Sequence, residues 1–222
     1  RELEIEIRCR VKKPRKFLKI LATLDSAPVF PGRRGRVRET NVLYVDPRRP
    51  ELPTLRFRER RFLRGKKEHT FTTKGKNQSG RIRMREELTT RLVEGKFRQQ
   101  IKDADQALVR TFVYERQFMA EHYRVYKNVA IELFEFPFIG TYVEFELKRG
   151  TEGDLKKVLK LFGYRFRDNI NESTRDSVYR YFAKNKKALP SGVVFYHDRW
   201  EAFAAMHGMR PNGVAAMEVS EL

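Results

Sequence analysis

Cysteine is almost absent from this sequence: Cys9 stands alone, and the four histidines, His69, His122, His197 and His207, are scattered. A lone cysteine excludes an internal disulfide framework, and no Cys/His group has zinc-ligand spacing. A reducing, cytoplasmic compartment is therefore expected. No run approaches the roughly 18 apolar residues that a membrane span needs, and no signal peptide is visible. The chain opens at Arg1, which points to trimming upstream. No internal repeat of fixed period is evident. Acid is scarce beside base: 48 Lys+Arg face 29 Asp+Glu, a formal net charge of +19 over 222 residues. Such an excess favours polyanionic partners, whether nucleotide, polyphosphate, nucleic acid or anionic membrane, without choosing among them. The length allows a sizeable core in one large domain or two small ones.

What is present is alternation. In a β-strand successive side chains point to opposite faces, and residues 2–10 obey that period without a break. Leu3, Ile5, Ile7 and Cys9 share one face; Glu2, Glu4, Glu6, Arg8 and Arg10 share the other. The same two-faced pattern returns at residues 55–60 and 142–148. Several strands with one charged face each, some acidic and some basic, predict a barrel with a polar interior and an apolar exterior covered by helices.

Along the chain, Pro14 introduces a short helix whose apolar stripe is Phe17, Leu18, Leu21 and Leu24. Residues 26–40, rich in proline, glycine and arginine, read as a basic loop that would lie over an anionic ligand or simply face solvent. Strands are expected at 41–47, at 55–63, at 68–74 after a turn at Gly65-Lys66-Lys67, and at 81–88 after a turn at 75–80. A helix follows over 92–108, where Phe97, Ile101, Ala104 and Leu108 step by three and four. Strands resume at 109–119, at 123–136 with an interruption near Lys127-Asn128, and at 141–148. Two helices, 154–162 capped by Gly163 and 174–183, complete a tunnel domain of residues 1–183. Residues 184–222 form a C-terminal extension of unassigned role, with Trp200, Phe203 and Met206 at helical spacing as a packing face.

Glu4 with Glu6, and Glu144 with Glu146, are two Glu-x-Glu pairs, each placing both carboxylates on one face about 7 Å apart. Carboxylates without Cys or His nearby make a hard oxygen site suited to Mg²⁺ or Mn²⁺. Arginine grips phosphate through a planar fork and lysine as a point charge. Acid pairs at both ends of the series with basic pairs between them would form a container for metal-bound phosphates. Aromatic residues such as Tyr44, Phe57 and Phe71, which would suit stacking on a base, read instead as exterior packing.

The ordered set Glu4-Ile5-Glu6-Ile7-Arg8, residues 40–47, Leu55-Arg56-Phe57-Arg58, residues 71–75, Arg85-Glu86-Glu87, residues 140–146 and Ser177-Val178-Tyr179 resembles the CYTH domain of the triphosphate tunnel metalloenzymes. That family includes class IV adenylyl cyclases, thiamine triphosphatases and inorganic tripolyphosphatases. The likeness spans residues 2–183 and implies an α+β fold: an eight-stranded antiparallel β-barrel with helices outside, holding a triphosphate-containing small molecule with Mg²⁺ or Mn²⁺. Position by position, it implies metal-binding roles for Glu4, Glu6, Glu144 and Glu146, and phosphate contacts for Arg8, Arg56, Arg58 and Lys74. It makes Glu87 a tunnel carboxylate, matches Arg116 to a basic position, and leaves Arg85 to face inward or outward. Glu132 stands where an aspartate is usual, and Arg175 where a basic residue of the last helix reaches the tunnel mouth. Arg8 replaces a usual lysine, Glu115 stands where lysine is frequent, and Arg116 and Glu132 share parity with Phe112, Tyr114 and Phe134. Their inward orientation is therefore in question.

The resemblance leaves hydrolysis and cyclisation of ATP to cyclic AMP both open, because water and an internal 3′-hydroxyl need the same phosphate grip. Two alternatives stand beside it. One is an RNA 5′-triphosphatase using the same tunnel. The other is a non-catalytic binder of polyphosphate or RNA through surface arginines at 33, 34, 36, 38, 48 and 49, whose affinity would fall steeply with salt.

Overall fold

The computed structural model describes residues 2–46, 48, 54–75, 83–136, 139–172 and 174–185. The extension from 186 to 222 therefore lies outside the described residues. The order is β1 (Glu2–Arg10), α1 (Pro14–Thr23), β2 (Ala27–Pro28), β3 (Arg36–Val45), β4 (Thr54–Arg61), β5 (Lys67–Lys74), β6 (Arg83–Leu92), α2 (Glu94–Ala107), β7 (Val109–Tyr126), β8 (Val129–Phe136), β9 (Gly140–Leu147), α3 (Glu152–Leu161) and α4 (Thr174–Asn185). Two short 3₁₀ turns sit at Leu63–Gly65 and Phe166–Asp168.

All pairings are antiparallel, and they run β7-β3-β4-β5-β6-β1-β9-β8. The ring closes because β8 also pairs with β7. The expected eight-stranded antiparallel architecture is thus present, with the two-residue β2 added at the margin of β7. Closure depends on the length of β7. Its first part pairs with β3 through Met119, and residues from Gln117 to Tyr126 pair with β8, with a register shift between Phe118 and Tyr123. A local irregularity bends a strand and increases its twist, which is what a closed sheet requires. The β7–β8 hairpin turns at Lys127 and Asn128, both at positive φ (46° and 63°), where the sequence pattern indicated an interruption. Two consecutive left-handed residues match the right-handed twist of the flanking strands.

Two apolar clusters cover the outside. α1 and α3 pack Phe17, Leu21, Leu155, Val158 and Leu159 against Ile7, Cys9, Ile131, Val143 and Phe145. α2 packs Phe97, Ile101 and Ala104 against Val42, Tyr44, Phe57 and Val113, so Tyr44 and Phe57 are exterior packing residues as expected, with Phe71 beside them.

Two expectations need correcting. Residues 26–40 are not one loop: Ala27-Pro28 form β2 and β3 begins at Arg36. Gly32 and Gly35, at φ 70° and 88°, confine the turn to the segment between them and β2. The interior is also not uniformly polar. Phe112, Phe118, Phe134, Phe136 and Tyr142 share strand parity with Arg116, Glu132 and Glu144, and they form a buried cluster with Val178 and Phe182 of α4. Part of the ring is therefore filled with aromatic rings, and the charged groups occupy the remainder.

Candidate functional site

Strand register places the charged residues around the whole inner circumference. Glu87 lies opposite Lys74, Arg56 opposite Thr72, Arg58 opposite Asn41, and Glu39 opposite Arg116. The circuit is completed by Glu132 opposite Glu144, Arg8 opposite Glu144, Glu6 opposite Glu146 and Glu4 opposite Arg85. Arg116, Glu132 and Arg85, whose orientation was in question, all belong to this inner set. Glu115 does not: it has the opposite parity and accepts a hydrogen bond from Thr40 Oγ1 at 3.3 Å. Arg175 lies in the first turn of α4, and its side chain is outside the described residues.

The inner set has two sectors of opposite balance. In the first, the carboxylates of Glu4, Glu6, Glu87 and Glu146 outnumber Lys74, Arg56 and Arg85. Arg85 Nε donates to Glu4 at 2.8 Å and lies 3.3 Å from Glu87, while its Nη2 lies 3.6 Å from Glu6. Lys74 forms a close ion pair with Glu87 and lies 3.9 Å from Glu4. Glu146 sits nearer the rim, where Lys148 donates to it at 2.5 Å.

Titration follows from this crowding. Burial pushes Glu4 up to about 8, against the pull of Lys74 and with the help of Glu6 and Glu87. Burial would raise Glu87 too, but Lys74 and Arg56 outweigh it and hold it near 2. Burial thus favours the neutral form at Glu4, and the neighbouring cations favour the charged form at Glu87. Burial, with Arg56 close by, brings Lys74 down to about 8. Glu146 is also raised, chiefly by burial, with Glu6 and Glu87 adding to the shift.

In the second sector cations are in excess. Glu39, fully buried, accepts from Arg116 Nε at 2.5 Å and from Arg60 Nε at 2.8 Å, and Arg58 Nε stands 3.1 Å away as an ion-pair partner. Asn41 Nδ2 also donates to Glu39, at 2.9 Å, and Asn41 Oδ1 accepts from Arg58. Burial works against the charge on Glu39, yet Arg116, Arg58 and Arg60 hold it well below the usual carboxylate range. Arg116 reaches Glu132 at 3.0 Å and Glu144 at 3.4 Å, and its guanidinium stands 4.6 Å from the centre of the Phe134 ring. Arg8 donates from Nε to Glu144 at 2.9 Å and from Nη1 to Thr174 Oγ1 at 3.0 Å, which ties the start of α4 to the interior.

Among the described residues one buried side-chain donor in the ring is left over. Arg56 Nε is buried without a hydrogen-bond partner, although Nη2 of the same guanidinium donates to Thr72 at 3.3 Å. A buried unpaired donor on a cation is costly, and a phosphate oxygen is the kind of acceptor that would satisfy it.

A divalent cation fits the first sector by charge and donor type. Glu6 and Glu146 face each other across the β1–β9 ladder, Glu4 is two residues from Glu6 on the same face, and the set is short of positive charge. Among the described residues no three carboxylates converge as a ready-made cage. Mg²⁺ requires none, because it keeps waters and is held by one or two carboxylates together with substrate phosphates. Glu144 is the member that the structure sets apart, since Arg8 and Arg116 already flank it.

Sequence reasoning missed Glu39 and Arg60. Arg60 continues the Arg56-Arg58 alternation and could have been read from it. Glu39 alternates with Asn41, but the arginine-rich surroundings hid it inside a supposed loop. No helix among the described residues is long and apolar enough to cross a membrane.

Neither a family model nor a curated protein sequence matches this chain. Solved structures do. The PH1819 protein of Pyrococcus horikoshii superposes with a TM-score of 0.61 at 18% identity, over 80% of this chain and 98% of that one. A candidate adenylate cyclase from Vibrio parahaemolyticus gives 0.61 at 15%, over 80% and 98%. A chain of the Schizosaccharomyces pombe Mediator head module gives 0.54 at 12%, over 72% and 94%. The fold read from sequence is therefore the fold shared with these structures. That one ring occurs both in a candidate cyclase and in a Mediator assembly means that chemistry must be argued from the site.

Proposed function

We propose that this protein is a CYTH-type enzyme that processes a triphosphate substrate inside the strand ring, dependent on Mg²⁺ or Mn²⁺, by hydrolysis or by cyclisation of a nucleoside triphosphate. The observation that carries the reading is the unbroken inner circuit of arginine, lysine and glutamate, with the unpartnered Arg56 Nε inside it. Burying ions costs several kcal/mol each before pairing, and a packed apolar interior would be at least as stable. A chain that fills part of its ring with aromatic side chains and keeps the rest ionic has a use for the charges.

Interior carboxylates and cations are near balance, so a triphosphate with several negative charges would not be neutralised by the side chains alone. Glu4, Glu6 and Glu146 would hold the cation, which when bound supplies charge neutralisation at the phosphate oxygens and lowers the pKa of bound water. Arg56, through its unpartnered Nε, and Arg8 and Arg58 would orient the phosphates and stabilise charge that develops on them. Lys74, near 8, can hold or release a proton at Nζ around neutral pH, and its ion pair with Glu87 fixes where that proton is presented. A cytoplasmic site of action, from the lone buried Cys9, belongs to the same reading.

The test is incubation with ATP, tripolyphosphate and thiamine triphosphate, each with Mg²⁺, Mn²⁺ or EDTA, with products identified. Metal-dependent consumption of one of them, abolished in Glu4→Gln/Glu6→Gln, is the expected result. Cyclic AMP from ATP assigns cyclisation, and ADP with phosphate assigns hydrolysis. No consumption of any of the three by the intact protein overturns the proposal.

A further inference from the structure

The net charge of +19 is not explained by the interior, where acid and base nearly cancel, so the excess is carried outside. One concentrated part of it lies in α1 and the two lysines just before it. Lys12, Lys13, Arg15, Lys16 and Lys19 are all exposed, and none has an ion pair or side-chain hydrogen bond among the described residues. The segment from 11 to 24 contains no acidic residue.

This arrangement works against the helix that carries it. Arg15 and Lys16 lie in its first turn, where the helix dipole favours negative charge, and Lys13 at the N-cap makes no capping hydrogen bond. Arg15 and Lys19 are like charges one turn apart, a further cost of a few tenths of a kcal/mol. The tolerated cost points to a polyanion on this face.

The face is wider than one helix. α3 packs beside α1 on the same outer side of the ring: both contribute to one apolar cluster, and Phe162 at the end of α3 stacks on Phe17 with centroids 4.4 Å apart. Since both helices turn their apolar stripes to the sheet, both turn the opposite side outward. On α3 that side exposes Lys156, Lys157 and Lys160, of which only Lys157 forms an ion pair among the described residues, with Asp154 at 3.5 Å.

The choice of polyanion follows from what the face lacks. A helix lying on a membrane sinks an apolar side into the lipid. Here Phe17 and Leu21 are buried against the sheet, no large apolar residue of α1 is exposed, and on α3 only Leu161 at its end is. A nucleic-acid backbone asks only for spaced cations. The ten residues of α1 span about 15 Å, the length of four to five phosphates along one strand.

We infer that the α1–α3 face binds the phosphate backbone of nucleic acid, independently of the chemistry inside the ring. The probe is a short labelled DNA duplex without a terminal triphosphate, titrated by fluorescence anisotropy over a range of salt concentrations. The intact protein should bind, with affinity falling as salt rises. The variant Lys12→Ala/Arg15→Ala/Lys16→Ala/Lys19→Ala should bind at least about tenfold more weakly, and its log–log salt slope should be smaller by about 3 to 4, near 0.9 for each phosphate contact removed. Unchanged thermal unfolding and unchanged triphosphate turnover in that variant show that the fold and the interior are intact. A second variant, Arg34→Ala/Arg36→Ala/Arg38→Ala, should bind like the parent. The inference is overturned if no duplex is bound, if the loss follows the second variant, or if phosphatidylserine vesicles are bound through the α1 lysines while DNA is not.

Discussion

Arg116 is the residue whose removal tests the interior network most directly. Replacing it with methionine keeps comparable bulk against Phe134 and deletes the cation. Glu39 keeps Arg58 and Arg60, so it stays paired. Glu132 does not fare as well: Arg116 is the only cation that donates to it among the described hydrogen bonds, and burial, with Glu39 and Glu144 nearby, already raises its pKa above 4.5. Without Arg116 the cheapest state is a protonated Glu132. Taking up that proton at pH 7, from a group that ionises at 4.5 when unfolded, costs at most 2.5 pH units, or about 3 kcal/mol, part of which the raised carboxyl of the parent already bears.

The sign is fixed by linkage. A carboxyl whose folded pKa is raised imposes no cost below its unfolded pKa, and the cost grows with pH until the folded pKa is passed. Arg116→Met should therefore lose up to about 3 kcal/mol at pH 7 and less than about 1 kcal/mol at pH 5, measured by urea unfolding at both values. Adding Glu132→Gln should remove most of the pH dependence. A loss that is equal at pH 5 and pH 7, or smaller than about 1 kcal/mol at pH 7, would show that Glu132 is not the buried partner described here.

Three further outcomes are expected. Glu4, protonated at neutral pH, and Glu87, ionised with a pKa near 2, should part company: Glu4→Gln should change stability at pH 7 by less than about 1 kcal/mol, whereas Glu87→Gln, which strands Lys74, should cost about 3 kcal/mol, and the contribution of Glu87 should fade as pH falls from 4.5 through 2. Arg56→Leu should weaken the binding of unhydrolysed tripolyphosphate by about tenfold or more in calorimetry, because the buried, unpartnered Nε donor is gone. Cys9, buried with its thiol pushed up to about 12, should resist a thiol reagent at pH 8 in the native protein and react fully in urea, with stability falling as pH rises above 9 because the unfolded chain releases that proton first.

How much of this was legible beforehand depends on whether a residue's partner lies on its own strand or across the ring. Period-two alternation is a property of one strand, so Glu4, Glu6, Arg8, Arg56 and Arg58 could be assigned to inward faces from their own segments. The helices α1 to α4 were visible for the same local reason, as apolar stripes at helical spacing. Glu39 was invisible because the segment from Gly32 to Arg38 carries the composition of a loop, and only pairing with β4 and β7 makes it a strand. The inward turn of Arg116 and Glu132 was equally non-local. Their strands carry phenylalanine and tyrosine at the same parity, which from sequence argues for an apolar face. The ring resolves the conflict by segregation: Phe112, Phe134 and Phe136 meet α4 in one region, and Arg116 turns toward three carboxylates supplied by three other strands. No single segment encodes that division. It arises because β7 pairs with both β3 and β8, which closes the sheet and so brings Glu39 on β3 and Glu132 on β8 to the two sides of the same guanidinium.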